Sequence, residues 1–383
     1  MKYSLTPATD RLARLAERWE KDPSSLPGRT PLERVRAVLV ALEVPEASQV
    51  LVFSKTSKQN ALIHPGNPRA LYFSRDVYCG YVPGGEFEVV IQDPRLGLVF
   101  YHIDLGNPGG RVRVVREASD CMSCHATART EKVPGMLVRS VYPDENGNPL
   151  LALGSGLTTH ETPIPERWGG YYVTGSVALP HLGNRTYTDG QRAEPAMYAW
   201  KDLREKIDTS KYLRPTSDIV ALMVLEHQCQ AHNLLTAARV NYEWAYHLTK
   251  GIDPAKDPDQ GTAGRVAEDA AAKIVDWFLF YGEAPQGEDG VEGDEEFQKQ
   301  FQAGIPRTPG GETLGEFQLY TRLFKHRCSY MIYSEAFRAL PAAVKGRVIA
   351  GLREILESSP GNDRYKDIQL PERRRLARIL HET

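Results

Sequence analysis

The apolar positions of the chain repeat with two different periods, and the change between them divides it. Over 6–21 and 31–43 they recur at three- and four-residue spacing; in the second stretch Leu32, Val35, Leu39 and Leu42 share one face and Pro31 stands at the start. This predicts two amphipathic helices, a hairpin that ends at Pro45. From about 47 to 200 the runs become short and extended, as in 49–53 (QVLVF), 87–91 (FEVVI) and 98–102 (LVFYH), and Pro/Gly clusters at 82–85 and 106–110 split them. Helical spacing returns after Thr216, over 217–248, 263–281, 313–326, 342–357 and 371–381. The expected fold is α+β: N-terminal helices over 1–46, a loop-rich and partly β region over 47–200, and a mainly α half over 201–383. Within that half, 284–312 hold an acidic, Gly-rich stretch with Glu288, Asp289, Glu292, Asp294, Glu295 and Glu296 close together. Its acids lack the alternating pattern of a calcium loop, so it reads as a solvated loop.

Composition narrows the class. With 383 residues, 41% of them hydrophobic, the chain is able to bury a substantial core in two or three domains. Lys plus Arg number 47 against 49 for Asp plus Glu, a net charge of -2, so no global basic field draws it to nucleic acid or to an acidic membrane surface. No apolar run approaches the roughly 20 residues that span a bilayer, so no transmembrane segment is expected. The first seven residues, MKYSLTP, do not form the apolar core of a signal peptide; either export is absent or a signal has been removed.

The chemistry is concentrated in one motif. Cys121-Met122-Ser123-Cys124-His125 matches C-x-x-C-H, the attachment sequence for c-type haem. Two thiols separated by two residues reach the two vinyl groups on one edge of a porphyrin, and the next side chain then lies under the iron as an imidazole ligand. A zinc site or a thiol redox pair is the competing reading of C-x-x-C, but no second C-x-x-C, no H-x-x-x-H and no βαβ pattern accompanies it. The expected cofactor is one covalent haem c with His125 as proximal ligand. Of the five cysteines this leaves Cys79, Cys229 and Cys328, an odd number that permits at most one disulfide. Cys229 and Cys328 stand in apolar helical contexts and read as buried, inert thiols. Haem attachment takes place outside the cytoplasm, so a periplasmic or otherwise extracytoplasmic location is expected.

Around the motif the chain resembles a family of large mono-haem cytochrome c proteins associated with planctomycetes and other environmental bacteria. The resemblance is carried by 53–57 (FSKTS), 68–73 (PRALYF), 81–85 (YVPGG), the haem motif, 134–135 (PG), 137–140 (LVRS), 167–170 (RWGG), 172–175 (YVTG), 181–184 (HLGN), 217–222 (SDIVAL), 226–228 (EHQ), 322–325 (RLFK) and 328–330 (CSY). It implies a haem c protein of the same fold and brings no established substrate. Tyr171 stands where that pattern has Trp, and Ser176-Val177-Ala178 where it has Thr-His-Gly, so position 177 supplies no ligand here.

An iron held by His125 is either capped on its other face by His or Met, giving a low-spin electron carrier, or left open to a small molecule. His181, in a loop, and His227, on the long apolar helix, are the candidate caps, with Met223 one turn before His227 a weaker one. His227 and His232 lie about 500° apart around a helix and do not share a face. Glu226-His227-Gln228 follows seven apolar residues, so at least one of these polar groups is expected to be buried and to need a partner. His227, Glu226 and Arg139 are the candidate catalytic groups. Arg69, Arg139 and Arg167 are candidate partners of the haem propionates, with pairing to Asp or Glu as the alternative. His64, His102, His160, His247, His326 and His381 read as surface or structural histidines, and Tyr72, Tyr78, Tyr81, Tyr171 and Tyr172 as packing.

Three functions follow. The first is an oxidoreductase acting on a small molecule at the iron, either peroxidase-like or directed at a small nitrogen or oxygen species. The second is a single-electron transfer cytochrome serving electron transport with a redox partner protein. The third, a gas-binding sensor, ranks last because no signalling domain is attached. Size favours the enzyme, since a simple carrier does not need so long a chain.

Overall fold

The N-terminal helices begin where side chains satisfy their free amides. In the computed structural model, which describes residues 3–106, 112–188, 190, 194–358 and 363–383, Asp10 caps α1 (Arg11–Lys21) by accepting from the Ala13 amide. Thr30 and Glu33 close a capping box on α2 (Pro31–Ala41). Leu12, Trp19, Arg34, Val35, Val38 and Leu39 are their buried positions.

The partly β region is a sheet. Strands β1 (Val50–Val52), β2 (Arg69–Ser74), β3 (Val77–Tyr81), β4 (Phe87–Asp93), β5 (Gly97–Asp104) and β6 (Arg113–Glu117) come first. The short ribbon β7 (Arg139–Val141) and β8 (Ser155–Leu157) pairs separately, and β9 (Tyr171–Tyr172) returns to the far edge. The seven-stranded order is β6-β5-β4-β3-β2-β1-β9, with every strand pair antiparallel. β2 and β3 meet in the two-residue turn Arg75-Asp76. Of the Pro/Gly cluster at 106–110, residues 107–110 lie outside the described residues.

Both faces of the sheet are covered, which is why β3, β4 and β5 are buried almost without alternation. Tyr72, Cys79, Val89, Val99 and Tyr101 pack with the N-terminal hairpin. Phe73, Tyr78, Val90, Leu98 and Phe100 pack with the helical half. There the 34-residue α4 (Ile219–Ile252), capped by Asp218, lies against the sheet, and α5 (Thr262–Phe278) packs on α4. The apolar core on this face runs from Ala47 to Ile379, so the sheet and the helical half are built around one interior.

Two expectations are corrected. The stretch 313–326 is not a helix: Phe317 bridges Phe324 across a turn in which Gln318 Oε1 accepts from the Tyr320 and Thr321 amides, both at 3.0 Å, and Leu319 adopts φ +58°. Its helix-like spacing arises because Phe317 and Phe324 converge on Phe301, at 5.3 and 5.8 Å between ring centres. The acidic stretch 284–312, in turn, contains the helix α6 (Glu295–Ala303), which Asp294 caps and which buries Phe297. High acid density concealed a helix whose apolar contacts are only Phe297 and Phe301. The short α7 (Glu335–Arg338) and the helices α8 (Ala342–Glu357) and α9 (Leu370–Glu382) complete the chain.

Candidate functional site

The Cys121–His125 segment forms a single helical turn, α3 (Met122–His125), with Cys121 as its N-cap. The His125 amide donates to the Cys121 carbonyl at 2.9 Å and the Cys124 amide at 3.3 Å, so both thiols and the imidazole are carried on one turn. Both cysteines are free thiols, Cys121 half-buried and Cys124 exposed. The decisive contact is at His125, whose Nδ1 lies 2.8 Å from the carbonyl oxygen of Gly135. A carbonyl only accepts, so Nδ1 carries the proton and the Nε2 lone pair is left for a metal. Burial lowers the His125 pKa, which favours the neutral ring. Phe100 from β5 packs against it with ring centres 4.9 Å apart.

The loop behind His125 is anchored to α4. The side chain of Asn233 accepts from the Met136 amide at 2.9 Å and donates to its carbonyl at 2.7 Å, while Gln230 donates to Glu131 Oε1 at 3.2 Å. Gly135 has no room for a side chain: a Cβ there would overlap Asn233 Oδ1 and lie 2.9 Å from Thr130 Cβ. α4 thus positions the carbonyl that fixes the tautomer of His125.

A polar row on the sheet faces the motif. Glu88 pairs in register with His102 on one side and Gly80 on the other, and Arg69 crosses above Gly80 to form an ion pair with Glu88. A Cβ at Gly80 would fall 2.5 Å from Arg69 Nη2. His102 lies 3.1 Å from Glu86 through Nδ1 and 4.0 Å from Cys121 Sγ through Nε2. Sequence reasoning set His102 aside as surface or structural. Strand alternation puts it on the side of Phe100, but nothing local says that the motif docks there.

No protein-family model, curated protein or solved structure matches the chain.

The candidate caps are differently committed. His227 lies in the core with Nδ1 2.7 Å from His160 Nδ1 and Nε2 2.7 Å from Ser329 Oγ, stacked on Trp277 and Phe280. Both nitrogens are engaged and none of these partners belongs to the motif. Among the described contacts His227, expected to approach the face opposite His125, does not touch the motif. Burial lowers its pKa to about 3. Met223, also buried, has no contact with the motif among those described. At His181, Nδ1 accepts from the Gly183 amide at 3.1 Å, so the neutral ring carries its proton on Nε2, the reverse of His125. Burial lowers the His181 pKa to about 4.

The charged candidates separate as well. Arg167 is 2% exposed and donates to Thr162 O at 2.7 Å, Glu226 Oε2 at 2.8 Å and His160 O at 3.1 Å. With Nε, Nη1 and Nη2 all committed, it forms a core ion pair with Glu226, the alternative expected for it. Glu226, fully buried, also accepts from Trp168 Nε1 at 2.5 Å; burial raises its pKa to about 7 against the pull of Arg167 and Trp168. It borders the narrow cleft lined by Arg129, Met136, Cys229 and Asn233, on the loop side of α4. Arg69 faces the motif but is paired with Glu88. Arg139 is the least committed: it donates to Ser155 Oγ at 3.1 Å, and burial and the like charge of Arg129 lower its pKa. Gln228, the third polar residue of its run, bridges Ser74 O and the Tyr330 hydroxyl.

Proposed function

We propose that the chain is a c-type haem redox protein, with haem c attached through Cys121 and Cys124 and ligated by His125, acting as an oxidoreductase on a small molecule. The observation that carries the reading is the His125 hydrogen bond to the Gly135 carbonyl, which leaves Nε2 as the free lone pair on the turn that carries two free thiols. The donor set therefore fits a haem held by two thioethers and one imidazole. Arg139, with no carboxylate within ion-pair distance among the described residues, and exposed Leu157, its register partner on the β7–β8 ribbon, offer a cationic and an apolar contact for a macrocycle. Such a group, when bound, supplies one-electron chemistry at iron.

The commitments of His181 and His227 favour an iron whose second face is open, and hence small-molecule chemistry. A second reading, single-electron transfer to a redox partner protein, draws on the exposure of Cys124, which would bring a porphyrin edge to the surface. Thioether attachment implies a periplasmic or extracytoplasmic site of maturation, and this location is part of the proposal. No helix among the described residues is long and apolar enough to cross a membrane.

The test is direct. Protein matured with a haem-attachment system is extracted with acidified organic solvent; haem that stays with the polypeptide supports the thioethers, and its release overturns them. Cys121→Ala with Cys124→Ala is expected to abolish retention. The ferric absorption and EPR spectra then separate the two functions, high-spin iron for the open site and low-spin for the carrier.

A further inference from the structure

Tyr78 on β3 is 4% exposed, and its phenolic oxygen lies 2.6 Å from Nδ1 of His232 on α4. His232 is fully buried; its Nε2 has no hydrogen-bond partner and stands 3.8 Å from Asp76 Oδ1. A phenol that donates to Nδ1 leaves the imidazole proton on Nε2, the side of Asp76, so the three groups are ordered as donor, relay and anion. Asp76 occupies the β2–β3 turn and borders a cavity of about 810 Å³ between the N-terminal hairpin, the sheet, α6 and α7, which Arg75, Gln92, Phe301 and Glu335 also line. The Asp76 carboxyl is held low by His232 and Arg75 despite its burial, and stays ionised. The line therefore runs from the sheet interior to a solvent-connected space.

The inner end points the other way, to the motif. Tyr78 pairs in register with Val90, and Val90 with Phe100, whose ring packs 4.9 Å from His125. Two inter-strand spacings put Tyr78 about 10 Å from Phe100 on the same sheet face. The other buried tyrosines lack this combination. Tyr101 donates to Asp10 at 2.5 Å but belongs to the opposite face, and Tyr330 donates to the amide of Gln228, which takes up no proton. Burial raises the Tyr78 pKa well above its ordinary value, so the phenol is always protonated and electron loss without proton loss would strand a cation in the core.

We infer that Tyr78 is a redox-active tyrosine. It gives one electron to a one-electron oxidant held at His125 and, in the same step, its phenolic proton to His232. The O–H bond of Tyr78 breaks and an N–H bond forms at His232 Nδ1, leaving a neutral phenoxyl radical and an imidazolium beside Asp76; a reductant reverses both transfers. The inference rests on the haem reading, and it answers a need of that reading: a single iron must share the two oxidising equivalents of a peroxide with a second group.

The experiment is rapid freezing of the holoprotein after addition of hydrogen peroxide, followed by EPR. A tyrosyl radical that narrows when deuterated tyrosine is incorporated, and is lost in Tyr78→Phe while the ferric iron signal still decays, is the expected result. His232→Gln, which keeps an acceptor but not a base, is expected to lower the radical yield at an unchanged rate of iron oxidation, and offers a second route should Tyr78→Phe fold poorly. Iron oxidation without a radical, or a radical unaltered in Tyr78→Phe, overturns the assignment. A sample with no haem iron signal before peroxide is added overturns the haem reading itself, an outcome visible separately in the untreated spectrum.

Discussion

His125 and Gly135 hold one another by two hydrogen bonds: the imidazole Nδ1 donates to the Gly135 carbonyl at 2.8 Å, and the Gly135 amide donates to the His125 carbonyl at 2.8 Å. The arrangement is kept in place from α4, because Asn233 satisfies both backbone groups of the adjacent Met136. Asn233→Ala leaves a partly buried amide and carbonyl without partners, at a cost of about 1–3 kcal/mol each. Urea unfolding is expected to show that loss. A change below about 0.5 kcal/mol would mean that α4 does not restrain the loop.

Glu226 and Arg167 form an ion pair at 2.8 Å with side-chain exposures of 0% and 2%. Each partner offsets the burial cost of the other, so the effects of Glu226→Gln and Arg167→Met are expected to be non-additive by about 1 kcal/mol or more. Chemical denaturation of the four proteins of this cycle measures the coupling. Additive losses would show that the two charges are independently compensated.

His181 makes stability depend on acid. Its ring protonates below about 6.5 when unfolded but, because of burial, only near 4 when folded. Between these values the unfolded chain binds more protons, so stability falls as the pH is lowered, by about 1.4 kcal/mol per pH unit. The carboxyls of Glu226 and Glu283, both raised to about 7 by burial, act in the opposite sense. Comparison with His181→Phe isolates the histidine: from pH 6.5 to 4.5 the wild-type protein is expected to lose stability relative to the variant. Parallel pH profiles would rule this out.

Local signals were read where the chain carries its own punctuation. Pro31 at the start of α2, the apolar run of α4 after Thr216, and the extended runs at 49–53, 87–91 and 98–102 all declare their elements within a few residues. β3 shows no alternation because every one of its positions is buried. The motif turn was legible because three residues one turn apart carry its chemistry. Its supports were not: Asn233, His102 and Gly80 lie far from it in sequence and meet it only through tertiary packing. His227 shows the converse. A polar group in an apolar helix announced that it needed a partner, but only the fold reveals that the partners are His160 and Ser329.

Gly80 carries a consequence for the surface the sheet turns toward the motif. Because the Arg69 guanidinium lies where a Cβ would be, on its way to Glu88, the missing side chain at position 80 is the passage through which β2 reaches β4 across β3. A side chain placed there would have to displace the guanidinium, so the glycine sets the path of a charge two strands away.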